Sequence, residues 1–281
     1  MTATTTAPAP PRAAGSPSMT PALALGDIAA ITRRNLLHIV RSPQLLVFAS
    51  LQPVIFVLLF RYVFGGAISV RGGSYINYLI PGIFVQTTLF GGNATAVGLA
   101  QDLREGIIDR FRSLPMARSA VLSGRSLSDV VYNGGILIVL MLSGLVVGWT
   151  VHTGLGNLLA GVGLLLLFAF AMSWLGIYLG LSVPTVEVAQ QAIFTVLFPI
   201  TFISNVFVPP QTLPTWLQFV AEWNPTSTLT GALRQLWGNP NPFASDSFPS
   251  QNPVLVTVVW VVVVIAIFGP LGVRRYRSMS R

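Results

Sequence analysis

The sequence predicts an all-α integral membrane fold with six transmembrane helices, and three observations carry the prediction. Of the 281 residues, 53% are hydrophobic and only 9% are charged, against about 25% charged in an ordinary soluble domain. The apolar residues gather into six segments, each near the roughly 20 residues that a helix needs to cross a hydrocarbon core. The arginines between these segments are shared very unequally between alternate sides. A mean hydropathy of +0.72 agrees.

The N-terminal stretch from Met1 to Pro21 is rich in Ala, Thr and Pro. It has no basic cluster leading into an apolar run, so it reads as a disordered tail over residues 1–22 and not as a signal peptide. Residues 23–281 read as a single transmembrane domain. Its first element is amphipathic: Leu25, Ile28, Thr32, Leu36 and Ile39 share one helical face, and Asp27, Arg34, His38 and Arg41 another. Such a helix suits the cytoplasmic interface of a membrane, and Ser42-Pro43 ends it.

The spans follow at about 45–64, 75–100, 126–149, 157–183, 188–208 and 254–273. The second is interrupted by Pro81-Gly82 and Gly91-Gly92, and the fourth contains the apolar run Leu164 to Phe170. Between the second and third spans, Leu103, Ile107, Phe111 and Leu114 are spaced by four, four and three, one face of a short helix that Pro115 stops. Asp102, Glu105, Asp109 and Arg112 cover another face. Acids interleaved with arginines suit a protein partner better than a lipid surface. Between the fifth and sixth spans lies the long segment Pro209 to Asn252. Trp216, Leu217 and Val220 share one face there, and after Asn224-Pro225 a second short helix carries Leu229, Leu233 and Leu236. Two apolar helices beside a span suit a re-entrant or interfacial position. Trp216, Trp223 and Trp237 are placed for a headgroup-level aromatic belt.

Orientation follows from arginine. The N-terminal tail carries Arg12, Arg33, Arg34 and Arg41; the loop after the second span carries Arg104, Arg110, Arg112, Arg118 and Arg125; the C-terminal tail carries Arg274, Arg275, Arg277 and Arg281. The opposite side has only Arg61, Arg71 and Arg234. The positive-inside rule then puts both termini in the cytoplasm. For the net charge of +8, anionic lipid headgroups are the natural counter-charge, with no nucleic-acid partner.

Several function classes are excluded or weakened. All 16 basic residues are arginine, and a phosphate-binding Walker A loop needs its lysine. No P-loop ATPase can therefore reside in this chain. Cysteine is absent, which removes disulfides and thiolate metal sites, and His38 and His152 lie too far apart in sequence to suggest a metal. No carboxylate pair, serine with a base, or metal cluster falls within a span, so the chain reads as a non-enzyme. Nor is there a ring of charge or a filter loop for a channel. A proton-coupled secondary transporter for lipophilic compounds, the main rival, wants an ionisable group at depth. Asp27, Asp102, Glu105, Asp109, Glu187, Glu222 and Asp246 all fall in tails, loops or span ends, and Asp129 alone lies one turn into the third span.

Two faces in the spans are candidates for a translocation pathway. Gln86, Phe90 and Asn93 share a face of the second span, and Phe194, Phe198, Phe202 and Asn205 a face of the fifth. Aromatic faces with a few amides suit an apolar substrate, and they equally suit packing between helices; the spacing leaves both open.

Taken together, three stretches resemble a known family. They are Asp102-Leu-Arg-Glu-Gly-Ile-Ile-Asp-Arg-Phe-Arg-Ser-Leu-Pro-Met116 with Arg118-Ser-Ala-Val-Leu-Ser-Gly-Arg125, the Pro81-Gly82 pair, and the outside helices around Asn224-Pro225 and Ala232-Leu-Arg-Gln-Leu236. The chain resembles the permease subunit of type-2 ABC exporters, of the daunorubicin-resistance drug efflux type, over nearly all its length after Leu23. The resemblance implies a homodimer of permeases, with two copies of a separate ABC ATPase docked beneath it. ATP and Mg would bind that partner, and this chain would hold no cofactor. It implies that Arg104, Glu105, Gly106, Asp109, Arg110, Phe111, Leu114 and Pro115 form the helix that couples to the ATPase. The N-terminal amphipathic helix would connect to the same partner. The second and fifth spans would line the dimer interface and pathway in a bacterial inner membrane. The activity implied is outward movement of a lipophilic drug-like or lipid substrate, as in antibiotic resistance.

Overall fold

The computed structural model describes residues 21–41, 43–64, 74–108, 110, 118–206, 213–242 and 244–279. The expected tail lies outside the described residues, except for its last two positions, which begin the first helix. Ten helices are described: α1 (Pro21–Arg41), α2 (Pro43–Leu59), α3 (Tyr75–Arg104), α4 (Arg118–Val146), α5 (Leu155–Ser182), α6 (Val186–Phe202), α7 (Thr215–Trp223), α8 (Pro225–Trp237), α9 (Phe248–Gln251) and α10 (Pro253–Ser278). A π-helical turn, Phe60–Phe64, extends α2.

Local chemistry sets several of the boundaries. Ser74 starts α3, its hydroxyl accepting from the amide of Ile76, and Thr185 does the same for Val188 at the start of α6. Asn224 caps α8 with Pro225 in the first position, and Gly238 ends that helix at φ 66°. Pro after a cap and a left-handed Gly at the far end follow the usual asymmetry of helix termini.

Four segments are long and apolar enough to cross a bilayer: Leu46–Val63, Val121–Val146, Leu155–Ser182 and Pro253–Ser278. The remaining two expected spans correspond to α3 and α6. The 30-residue α3 has the length but not the apolarity, and α6, at 17 residues, the apolarity but not the length. The polarity of α3 has a physical reason. Most of it is buried among other helices, so its polar groups meet protein, which lipid would not allow.

At the centre, α3 lies along α5, with α6 on one flank of α3 and α10 on α5. The contact between α3 and α5 is backbone to backbone. A Cβ built at Gly176 would stand 2.3 Å from the carbonyl oxygen of Gly92, and one at Gly180 2.6 Å from that of Ala96. Small residues four apart on both helices permit this approach, the usual solution where lipid supplies no hydrophobic drive between helices.

The helix α8 is not peripheral. Leu229, Ala232, Leu233 and Trp237 are fully buried against α3, α5 and α10. This corrects the belt reading for Trp237. Its ring is 0% exposed and packs edge-on against Phe84 and Trp149, with centroids 5.7 and 5.3 Å away. Trp216 and Trp223 do face outward. Periodicity missed the difference because α8 enters the bundle while α7 stays outside it. The first helix also differs from a purely interfacial one: Ile31 and Thr32 are buried, because α1 packs along the start of α4.

Candidate functional site

Two regions bring the candidate residues together, one at each end of the pair α3–α6. At the arginine-rich end, α3 stops where Gly106 adopts φ 70°, its amide donating to the carbonyl of Leu103 at 3.1 Å. Nothing crowds a Cβ there, so it is the left-handed backbone that favours glycine. The turn breaks the single helical face expected from Leu103 onward. Ile108 becomes the buried anchor, in a cluster with Leu99, Leu122, Trp174, Ile177, Leu181 and Tyr276, while Leu103 and Ile107 are half-buried. Arg104 and Glu105 are exposed, and Glu105 accepts from the amide of Gln101 at 2.9 Å. Arg110 is exposed one turn further on. Asp109, Phe111, Leu114 and Pro115 lie outside the described residues.

Arg104 and Glu105 line an open cleft of about 390 Å³ together with Gln101, Val186 and Glu187. Glu187 stands one residue ahead of the fifth apolar segment. A hydrogen bond to its own backbone amide, then one from Thr185, then the nearby Arg104 hold its carboxyl below the usual range. The cleft therefore offers two acids and one base at the start of α6. No sequence spacing links Glu187 to the loop after α3; the folding of α6 against α3 brings them together.

Higher up, the aromatic face is continuous across both helices. Phe90 of α3 meets Phe194 of α6 at 5.3 Å between centroids, and Phe194, Phe198 and Phe202 follow one another at 6.4 and 4.4 Å. Phe194, Phe198 and Phe202 are 44%, 48% and 52% exposed, so within one chain they form a surface and not a core. Gln86 and Asn93 are half-buried beside it, and Asn93 Oδ1 is buried without a hydrogen-bond partner. Asn205 lies apart from the stripe, past the end of α6.

The carbonyl of Asn205 accepts from the Tyr78 hydroxyl at 3.1 Å and from Arg234 at 3.4 Å. Arg234, one of the few arginines on its side and part of the Ala232–Leu236 stretch, is fully buried. Its Nε donates to the carbonyl of Tyr78 at 3.1 Å, its Nη1 lies 3.5 Å from Asn241 Oδ1, and its guanidinium carbon is 3.8 Å from the centre of the Tyr78 ring. Carbonyls and an aromatic face thus replace the carboxylate that a buried arginine usually needs. Asn224 completes the cap, donating to the carbonyls of Ile200 and Ile203 at the end of α6. A further polar group lies at the opposite end: Asp129 accepts from Thr95 at 2.7 Å and pairs with Arg125 at 3.5 Å. Among the described residues no group of three His, Cys, Asp or Glu could hold a metal ion.

Comparison with known proteins agrees along the chain. The model of a family described as ABC-2 type transporter matches residues 26–237. The daunorubicin resistance ABC transporter permease protein DrrB1 of Streptomyces coeruleorubidus is 32% identical, over 92% of this chain and 90% of its own. The protein ycf38 of Cyanophora paradoxa is 23% identical, over 95% and 93%. A probable doxorubicin resistance ABC transporter permease, DrrC, of Mycobacterium tuberculosis is 24% identical, over 87% of each chain.

Proposed function

Because this chain belongs to the ABC-2 type transporter family, we propose that it is the permease subunit of an ATP-driven exporter that moves a lipophilic drug-like or lipid substrate out of the cell. A separate ATPase, which binds ATP and Mg, supplies the energy. Two ATPase copies serve two permease copies, and this chain carries no nucleotide site. All six spans cross the membrane, α3 and α6 included, as one permease domain from residue 23 to the end. Both termini lie in the cytoplasm of a bacterial cell, beneath its inner membrane.

The observation that carries the reading is the joined aromatic face of Phe90, Phe194, Phe198 and Phe202. Lipid alone would suit three half-exposed phenylalanines in a row, but it would not suit Gln86 and the unpartnered amide oxygen of Asn93 on the neighbouring helix. A pathway between two copies, wetted by an apolar substrate, explains both features. Arg104, Glu105, Gly106 and Arg110, with Asp109, Phe111, Leu114 and Pro115, form the ATPase-coupling surface at the other end. The proton-coupled alternative draws no support from Asp129, whose two carboxylate oxygens are engaged by Thr95 and Arg125.

The test is co-purification followed by reconstitution. The tagged permease, extracted in mild detergent, should bring a stoichiometric P-loop ATPase with it. In proteoliposomes the complex should hydrolyse ATP faster with daunorubicin or doxorubicin, the compounds in the relatives' names, or with lipid. Stimulation by sugars and not by lipophilic compounds would overturn the substrate class. A permease that comes out alone from several mild detergents would overturn the ATP-driven mechanism.

A further inference from the structure

The pair Gly124-Arg125 is the meeting point of three helices. Gly124 of α4 faces α1. Thr32 Oγ1 donates to its carbonyl at 3.2 Å, and a Cβ there would stand 2.9 Å from Cβ of Ile31 and 3.1 Å from the carbonyl oxygen of Ile28. Arg125 turns the other way, onto α3. Its Nη1 lies 3.2 Å from Asp102 Oδ2, and its Nε lies 3.5 Å from Asp129 Oδ1 on its own helix. Asp129 in turn accepts from Thr95 of α3 at 2.7 Å. Between Thr95 and Asp102 sits Gly98, where a Cβ would be only 2.0 Å from Arg125 Nη2. Thr95, Gly98 and Asp102 fall on one helical face, at spacings of three and four. The guanidinium therefore brings its Nη2 end against the bare backbone of α3 at Gly98, with Asp102 at Nη1 and Asp129 at Nε.

We propose that Arg125 is a positioning residue. It fixes the last two turns of α3, and with them Arg104 and Glu105, relative to α4 and α1. The inference rests on the reading in which those two residues meet the ATPase. Its consequence is mechanical. Because α1 and α3 are fastened to adjacent residues of α4, a displacement at the end of α3 moves all three helices together. The forked head matters because separate, rigidly spaced nitrogens reach Asp102 and Asp129 while a third fills the space at Gly98, whereas an ammonium is a compact point charge that cannot span those positions together. Gly98 leaves the space that Nη2 fills, and a methyl group there would push the end of the Arg125 side chain aside.

The chain has no cysteine, so a spin-label pair can be introduced cleanly at Gln101→Cys on α3 and Ile138→Cys on α4, both exposed positions. The distance distribution between them, measured on the full-length permease alone in nanodiscs, should be narrow. Gly98→Ala and Arg125→Gln should each broaden it, and the double variant should be no broader than either, because both remove one contact. Arg125→Lys should not restore the narrow distribution. In the complex with the co-purified ATPase, substrate stimulation of hydrolysis should fall about tenfold in each variant, as for a coupling lost between groups in direct contact. Basal hydrolysis should persist. A purely structural role would lower thermal stability without moving the stimulation ratio. A distribution as narrow in both variants as in the labelled parent overturns the inference, as does an unmoved ratio in a hydrolysing complex. Failure of the parent permease to bring down any ATPase defeats the exporter reading instead, and the distance measurement then decides this inference by itself.

Discussion

Replacing Gly176 by alanine tests the central seam of the bundle. The new Cβ would stand 2.3 Å from the carbonyl oxygen of Gly92 and 3.0 Å from Cβ of Thr95. The nearer obstacle is backbone, which cannot rotate away as a side chain can. Bringing the contact out to 3.0 Å parts α3 from α5 by about 0.7 Å, and a gap of that size forfeits about a quarter to a half of the dispersion attraction between facing atoms. The neighbouring approaches, Gly180 to Ala96 and Gly92 to Met172, lie on the same seam and open with it. Overpacking of this kind costs about 1–3 kcal/mol, offset in part by the roughly 0.8–1 kcal/mol that alanine gains over glycine within a helix. A net loss on the order of 1–2 kcal/mol is expected. The control is Gly163→Ala in the same helix, where a Cβ meets nothing within 4 Å and only the helix preference acts. Equilibrium unfolding in mixed micelles of mild detergent and dodecyl sulfate would compare the two with the parent. If Gly176→Ala proved as stable as Gly163→Ala, the close seam between α3 and α5 would be wrong.

Three further outcomes are expected. Phe198→Ala should leave stability within about 0.5 kcal/mol of the parent, as at other exposed positions, yet reduce stimulation of ATP hydrolysis by a lipophilic substrate; unchanged stimulation would remove the aromatic face from the pathway. Arg234→Met should destabilise the cap around Asn205 and Asn224 by about 1–3 kcal/mol, because the carbonyls of Tyr78 and Asn205 stay buried and lose a donor; hydrogen exchange across α8 should accelerate, and unaltered exchange would show that the arginine carries no structural role. Glu105→Ala combined with Arg110→Ala should leave membrane insertion intact and weaken capture of the ATPase by about tenfold, equivalent to about 1.4 kcal/mol, as read by titration of the purified subunit; normal capture and transport would mean that the docking helix lies elsewhere.

The sequence by itself determined the solvent of this protein and most of its helices. Composition demanded lipid, and runs of apolar residues marked the helices α2, α4, α5, α6 and α10, because apolarity is legible residue by residue. The aromatic stripe of α6 was also legible, since residues four apart share a face in any helix. What only the tertiary structure decided was which faces meet. The turn at Gly106 shifted the buried anchor to Ile108, an outcome that depends on a single left-handed residue and leaves no period in the sequence. Trp237 and Trp223 look alike in sequence, but one is core and the other surface, because α8 enters the bundle and α7 does not. Arg234 found carbonyls and Arg125 found Asp102, partners 29 to 156 residues away in the first case and 23 in the second. Gly98 and Gly176 acquire their meaning only where another chain segment lies against them. Periodicity reports the geometry of one helix; contacts between helices depend on how several backbones pack at once.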